Sequence, residues 1–213
     1  MEKQTNRSPG RPPHHKDKRP TNELILSKAS QLFLENSYQD VSMDDVAKAC
    51  DVTKASVYYY YKTKSELYTE TMIRLMHRIR NLTLQLLSED KPFRTRLLNV
   101  AEAYLSVSVD LDTERFIHGA KNMLSKEQLI SIQQAEEEMY TSMEESFREA
   151  IDQGLISPIN PTFAVHGYIS LLNTGNYKNA DDHTIFSSAR EAARSIVDFF
   201  WKGLTKDIQD QQD

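Results

Sequence analysis

Apolar residues recur along this chain at intervals of three and four, and no convincing stretch alternates with a period of two. A period near 3.6 belongs to an amphipathic helix and a period of two to a half-buried strand. The pattern therefore predicts an all-α protein. Ile25, Ala29, Leu32 and Phe33 form the first stripe, on a helix expected to open after Pro20, with Thr21 or Asn22 as cap, and to run to about Asn36. Ser42-Met-Asp-Asp45 is a variant of the capping box and starts a short helix, Met43 to Cys50. Asp51-Val52-Thr53 makes a tight turn, and Thr53 can cap a third helix from Lys54 to about Tyr60. Thr63-Lys-Ser-Glu66 is another capping box, and the helix it opens reaches about Ser88 on a stripe of Met72, Leu75, Met76, Ile79, Leu82 and Leu86.

The remainder is also helical in pattern. Phe93, Leu97, Ala101, Tyr104 and Leu105 mark a helix to about Val109, and a shorter one is expected over Thr113 to Met123. Leu129, Ile132, Met139, Met143, Phe147 and Ile151 mark a long helix ending near Gly154, which suits a left-handed C-terminal cap. Pro158 and Pro161 break the chain. Ala164, Gly167, Tyr168, Leu171, Leu172 and Gly175 then form the next helix, and Asp181 or Asp182 opens the last, which runs through Leu204. The expectation is about nine helices with no internal repeat.

Composition narrows the class. The 213 residues are 39% hydrophobic and 27% charged, as in a soluble globular protein of one or two domains. No run approaches the ~18 apolar residues of a membrane span, and MEKQTNRSPG lacks the apolar segment of a secretory signal. Cys50 is the single cysteine and has no intramolecular partner; together these features point to the cytoplasm and away from a membrane. The net charge of -5 divides unevenly, +3 over residues 1–64 and -8 over residues 65–213. A basic head on an acidic body favours one orientation against a polyanion, because phosphate repels the body. Residues 1–20 hold SPGRPP, a further Pro20, six Lys or Arg and two histidines without apolar periodicity, and read as a flexible basic arm.

Two short helices joined by a three-residue turn make a helix-turn-helix. Ala47 sits where the two cross, and Val46, Val52 and Val57 can pack between them and the first helix. The second of the pair is then free to enter a major groove with Lys54, Ala55, Ser56, Tyr58, Tyr59 and Tyr60 outward. Four successive helical residues span ~300°, so Tyr58 to Tyr61 cannot all be core; Tyr61 is assigned inward.

An enzyme is a rival class. His14, His15, His77, His118, His166 and His183 show no metal-ligand spacing, and there is no glycine-rich phosphate loop or G-x-S-x-G. Glu136-Glu137-Glu138 reads as a solvated helix face. No catalytic site, metal or cofactor is expected. A second rival, a helical dimer that binds a protein partner without DNA, should lack Lys54, Tyr58, Tyr59 and Lys64 together, and all four are present.

From Ile25 to Met72 the chain resembles the DNA-binding domain of the tetracycline-repressor (TetR) family. The residues that carry the resemblance are Ile25, Ala29, Leu32, Phe33, Tyr38, Val46-Ala47, Val52-Thr53-Lys54, Val57 to Tyr61, Lys62-Thr63-Lys64 and Glu66-Leu67. Asp51 stands where the family often has a turn glycine, Ala55 replaces a frequent glycine, Tyr60 a frequent histidine and Tyr61 a phenylalanine. Aspartate tolerates a left-handed conformation better than most residues, so the turn survives. The resemblance implies that Lys64 and the amides opening the fourth helix hold one phosphate, and Ser42 another. It implies that Tyr58 and Tyr59 bond phosphate or sugar, and that Thr53, Lys54, Ala55, Ser56 and Tyr60 reach base edges or adjacent phosphates. Arg11, in Gly10-Arg11-Pro12, either enters an A·T-rich minor groove or belongs to a solubilising tail.

The division is then an arm over 1–20, a three-helix DNA-binding domain over 21–64, and a larger helical domain for ligand binding and dimerisation over 65–213. The last helix is apolar over a wide arc, which suggests a second buried face. The resemblance implies a four-helix seam between two copies, for which Gly167, Leu171, Ile196, Phe200, Trp201 and Leu204 are candidates. Two recognition helices would then sit ~34–36 Å apart or slightly more on a near-palindromic operator of double-stranded DNA. A ligand cavity is expected between the fourth and eighth helices, lined by Met76, Tyr104, Phe116, Met123, Tyr140, Met143, Phe147 and Tyr168, for a small and largely apolar effector. Repression, relieved by that effector, is what the resemblance implies.

Overall fold

The computed structural model describes residues 20–108, 120–175, 177 and 183–209. Among them it is all-helical, with α1 (Thr21–Glu35), α2 (Met43–Ala49), α3 (Lys54–Tyr60), α4 (Lys64–Leu87), α5 (Phe93–Ser108), α6 (Lys126–Asp152), α7 (Pro161–Thr174) and α8 (Ala189–Gln209). The arm with Arg11, the helix expected from Thr113 as far as residue 119 with Phe116, and the openers Asp181 and Asp182 lie outside the described residues. Of the expected helix over Thr113 to Met123, the described part holds a single 3-10 turn, Lys121–Met123.

Local chemistry sets the ends. The cap of α1 is Pro20 and neither Thr21 nor Asn22; Thr21 is already helical, and the Pro20 carbonyl accepts from Leu24 N–H at 3.1 Å. Ser42 and Asp45 form the reciprocal box expected for α2, and Thr53 caps α3 by accepting from Ser56 N–H. At α4 the Thr63 hydroxyl accepts from Glu66 N–H, but the Glu66 carboxylate reaches one residue further back, to Lys62 N–H at 2.7 Å. Ser125 and Gln128 make a capping box for α6 ahead of its apolar stripe. Pro161 does not break the chain but opens α7 as its first residue, behind the Asn160 cap; a proline loses no helical hydrogen bond there. Residues 183–188 precede α8, whose first turn is held by Ser188 Oγ accepting from Glu191 N–H at 3.2 Å.

Two helices end in the same way. At α2, Asp51 N–H donates to Lys48 O and Val52 N–H to Ala47 O, with Asp51 at φ 52°. At α6, Gly154 N–H donates to Ile151 O and Leu155 N–H to Ala150 O, with Gly154 at φ 68°. Each is a Schellman motif, which satisfies terminal carbonyls by one left-handed residue. In α2 it delivers the chain into α3 after four residues, Cys50 to Thr53.

Packing makes two apolar cores. The first joins α1, α2 and α3 (Ile25, Phe33, Val46, Ala47, Val57) to α4 (Leu67, Met72, Met76) and to the first half of α6 (Ile132, Ala135, Met139). The second holds Leu87, Leu97, Met143, Phe147, Tyr168, Leu172, Ile196 and Leu204, from α4 to α8. Helix α4 contributes to both, packing on α1, α5 and α6, and Tyr140 touches both. The head is thus continuous with the start of the body through α4 and α6.

Candidate nucleic-acid interface

Helix α3 has one inward residue, Val57, which is wholly buried. Tyr61 follows it into the core, 8% exposed, and burial pushes its phenol up to about 12. With those two fixed, the rest of α3 faces out. Tyr59 is 73% exposed, Tyr58 and Tyr60 are 39% exposed, and Lys54 and Ala55 are exposed beside them. Ser56 is half-buried, its hydroxyl 2.8 Å from that of Thr53. The structure therefore brings Thr53, Lys54, Ala55, Ser56, Tyr58, Tyr59 and Tyr60 onto one short helix, at the edge of the first core. Large aromatics left in water on a seven-residue helix form a surface with π faces and hydroxyl donors for a partner.

The cations around this surface are held differently. Lys54 Nζ lies 2.7 Å from Asp44 Oδ2 on α2 and 6.0 Å from the Tyr58 ring, and the hydrogen bond to Asp44 raises its pKa above the usual lysine range. Both partners are about half exposed, so the pair exchanges readily with solvent ions. Lys62 donates to the carbonyls of Tyr58 at 3.3 Å and Tyr59 at 3.1 Å, at the negative end of α3, while remaining exposed. The apolar and motif patterns give Lys62 no role of its own; its place just past α3, where a cation complements the helix dipole, is the signal that could have found it. Ser42 is exposed, but its N–H and hydroxyl both donate to Asp45 Oδ2, at 2.9 Å and 2.5 Å. Lys64 is half-buried and its ammonium faces inward, to the carbonyls of Tyr38, Gln39 and Val41.

Of the described residues expected to line a ligand cavity, Tyr104, Tyr140, Met143, Phe147 and Tyr168 come together in the second core, while Met76 and Met123 do not belong to it. Met76 belongs to the first core; Met143, Phe147 and Tyr168 are closed inside the second, with the Tyr168 hydroxyl on Leu97 O at 2.5 Å. Met123 is 50% exposed. Tyr104 bonds Asn173 at 2.5 Å, and the Tyr140 ring lies tilted against His166 at 4.5 Å between ring centroids. An open cleft of about 710 Å³ lies elsewhere, between α1 and α4, lined by Leu26, Leu34, Leu75, Arg74 and Arg78 among others. Of the seam candidates, Ile196 and Leu204 are covered by their own subunit, while Gly167, Leu171, Phe200 and Trp201 are not fully buried. Among the described residues, the large exposed apolar side chains on α7 and α8 are Phe163 (70%) and Phe199 (69%); Phe199 belongs to the wide apolar arc of the last helix, whereas the stripe of α7 does not single out Phe163.

Residues 25–71, which hold α3 with the cations around it, match the profile of bacterial regulatory proteins of the tetR family. The HTH-type transcriptional regulator YhgD of Bacillus subtilis is 26% identical over 141 residues, 65% of this chain and 73% of that protein. The negative transcriptional regulator of the biofilm operon icaADBC, IcaR of Staphylococcus epidermidis, is 38% identical over 50 residues; the match spans 24% of this chain and only 27% of that protein. The crystal structure of AibR in complex with isovaleryl coenzyme A and operator DNA shares the fold, with a TM-score of 0.61 at 20% identity over 85% of this chain and 98% of that one. Residues 25–71 thus form a helix-turn-helix domain of the tetR family of bacterial regulatory proteins, and the described all-helical body shares its fold with AibR.

Proposed function

We propose that this regulator is a repressor that binds a near-palindromic operator as a homodimer and is released by a small, largely apolar effector. The observation that carries the reading is the outward face of α3: three exposed tyrosines, Lys54 and the Thr53–Ser56 pair, held by one buried valine and a side-chain cap. Seven residues of helix fit a major groove end-on, where hydroxyls and a lysine read base edges and the flanking cations meet phosphate. Lys62 borders the same face, on the carbonyls of Tyr58 and Tyr59, and Ser42 is exposed at the start of α2. No catalytic constellation is proposed, in keeping with a family of DNA-binding regulators.

Pairing is supported by Phe163 and Phe199, large apolar side chains exposed on two of the last helices, which a second copy would bury together with Gly167, Leu171, Phe200 and Trp201. Release is supported by α4, which contributes to both cores, so a ligand that prefers another arrangement of the body also shifts the head. A coupling of ~1–3 kcal/mol changes operator affinity ~5–150-fold. AibR, solved with isovaleryl coenzyme A and operator DNA, makes short acyl thioesters reasonable first effectors to try. The test is fluorescence anisotropy with a labelled duplex taken from upstream of the chain's own gene, titrated at several salt concentrations and then with acyl thioesters and apolar compounds. Salt-sensitive binding that an effector reverses is expected; binding that no apolar compound alters rejects the inducible part.

A further inference from the structure

Lys64 is the first residue of α4, and its side chain turns back toward the loop between α1 and α2. Its Nζ donates to the carbonyls of Tyr38 at 2.9 Å and Val41 at 3.0 Å, with Gln39 O at 3.5 Å, and lies 4.4 Å from the centroid of the Tyr38 ring. An ammonium carries three donors and no acceptor, so three converging carbonyls saturate it. The ring over it is itself fixed, edge-on to Tyr68 of α4 at 4.9 Å and stacked on Phe33 of α1 at 6.1 Å. The loop it grips continues through buried Val41 into Ser42, the cap of α2, and α2 passes directly into α3 through the left-handed Asp51. Lys54 and Lys62, by contrast, are exposed and can trade their present partners for a phosphate at little cost. If Lys64 turned to a phosphate, it would leave carbonyls beside an aromatic cluster without their charged donor.

We propose that Lys64 is a positioning residue: it fixes the α1–α2 loop to the start of α4, so that α2 and the DNA-reading face of α3 follow α4, and it does not itself neutralise a phosphate. The consequence for DNA rests on the function proposed above; the fastening itself is a property of the free protein. It gives α4 a polar tie to α2 in addition to the shared core, on the path any signal from the body takes to α3. Arginine is not an equivalent, because a planar fork does not converge its donors on one point as an ammonium does.

The experiment uses the full chain as wild type, Lys64→Gln, Lys64→Arg and Lys62→Gln. Two quantities are read: amide hydrogen exchange over residues 37–43 without DNA, and the slope of log affinity against log salt with a bound duplex. Exchange is expected to quicken roughly tenfold or more in Lys64→Gln and also in Lys64→Arg, since bonds to a charged donor are lost. Affinity falls in both, while the slope stays that of wild type. Lys62→Gln instead flattens the slope by ~0.9 for each phosphate it ceases to neutralise. A flattened slope in Lys64→Gln, unchanged exchange, or full recovery by Lys64→Arg overturns the proposal. Should Lys64→Gln fold poorly, Lys64→Arg decides, because a phosphate clamp predicts retained affinity and a fastening predicts its loss. If wild type binds no duplex, the DNA reading falls and exchange alone judges the fastening.

Discussion

Asp51 adopts φ 52° in the turn between α2 and α3, where a side chain costs ~1–2 kcal/mol against the right-handed region. Asp51→Gly is therefore expected to leave stability unchanged or raise it by up to ~1 kcal/mol, and Asp51→Val to lower it by about 2 kcal/mol or more, in urea unfolding followed by circular dichroism. The turn is legible in the sequence, since aspartate is among the few residues that accept this conformation. Asp45 gives a pH dependence. Hydrogen bonds from the Ser42 side chain and backbone, with Lys48 nearby, hold its carboxyl below its ordinary 3.8. A depressed carboxyl stabilises the fold above its unfolded pKa and ceases to as pH falls through the lower folded value. Ser42→Ala removes both the cap and that hydroxyl bond, so wild type and variant should differ at pH 7 and draw closer as pH falls below about 3.8; an equal gap at every pH contradicts the assignment. The fastening at Lys64 is not legible, because its carbonyl partners lie 23 to 26 residues away and only the folded loop gathers them.

Helix α3 separates stability from binding. Tyr59 is 73% exposed and lies mainly against Tyr60 and the Lys62 ammonium, so Tyr59→Ala should leave the melting temperature unchanged and weaken DNA binding. Val57 is wholly buried, and Val57→Ala should lower stability by ~1–3 kcal/mol in the same unfolding assay. These elements are readable because caps and turns are local: Ser42, Thr53 and Thr63 each sit three residues before the N–H they bind. The start of α8 is harder to read. Asp181 and Asp182 have the chemistry of caps, but Ser188 with Glu191 three residues on is the pair that holds the first turn. A ligand cavity cannot be read from such stripes, since methionines and aromatics at helical spacing give the same pattern whether they line a space or, like Met143 and Phe147, fill one.

At the scale of the whole molecule, two cores share α4, and α7 and α8 expose Phe163 and Phe199. Phe163→Asp with Phe199→Asp is expected to give a folded monomer by analytical ultracentrifugation, with operator affinity lost as the second recognition helix is lost. The uneven charge and the helix-turn-helix point to a DNA-binding head; the proposed seam is only partly legible in the sequence, because Ile196 and Leu204 share their stripe with residues that face outward. The most direct measurement is selection of bound duplexes from a random pool by the full chain, compared with Tyr59→Ala. Two inverted half-sites about one helical turn apart, enriched by wild type and lost with the variant, are the predicted result. Enrichment of no sequence, or of a single unpaired half-site, or of the same sites by the variant at equal affinity, would contradict the account.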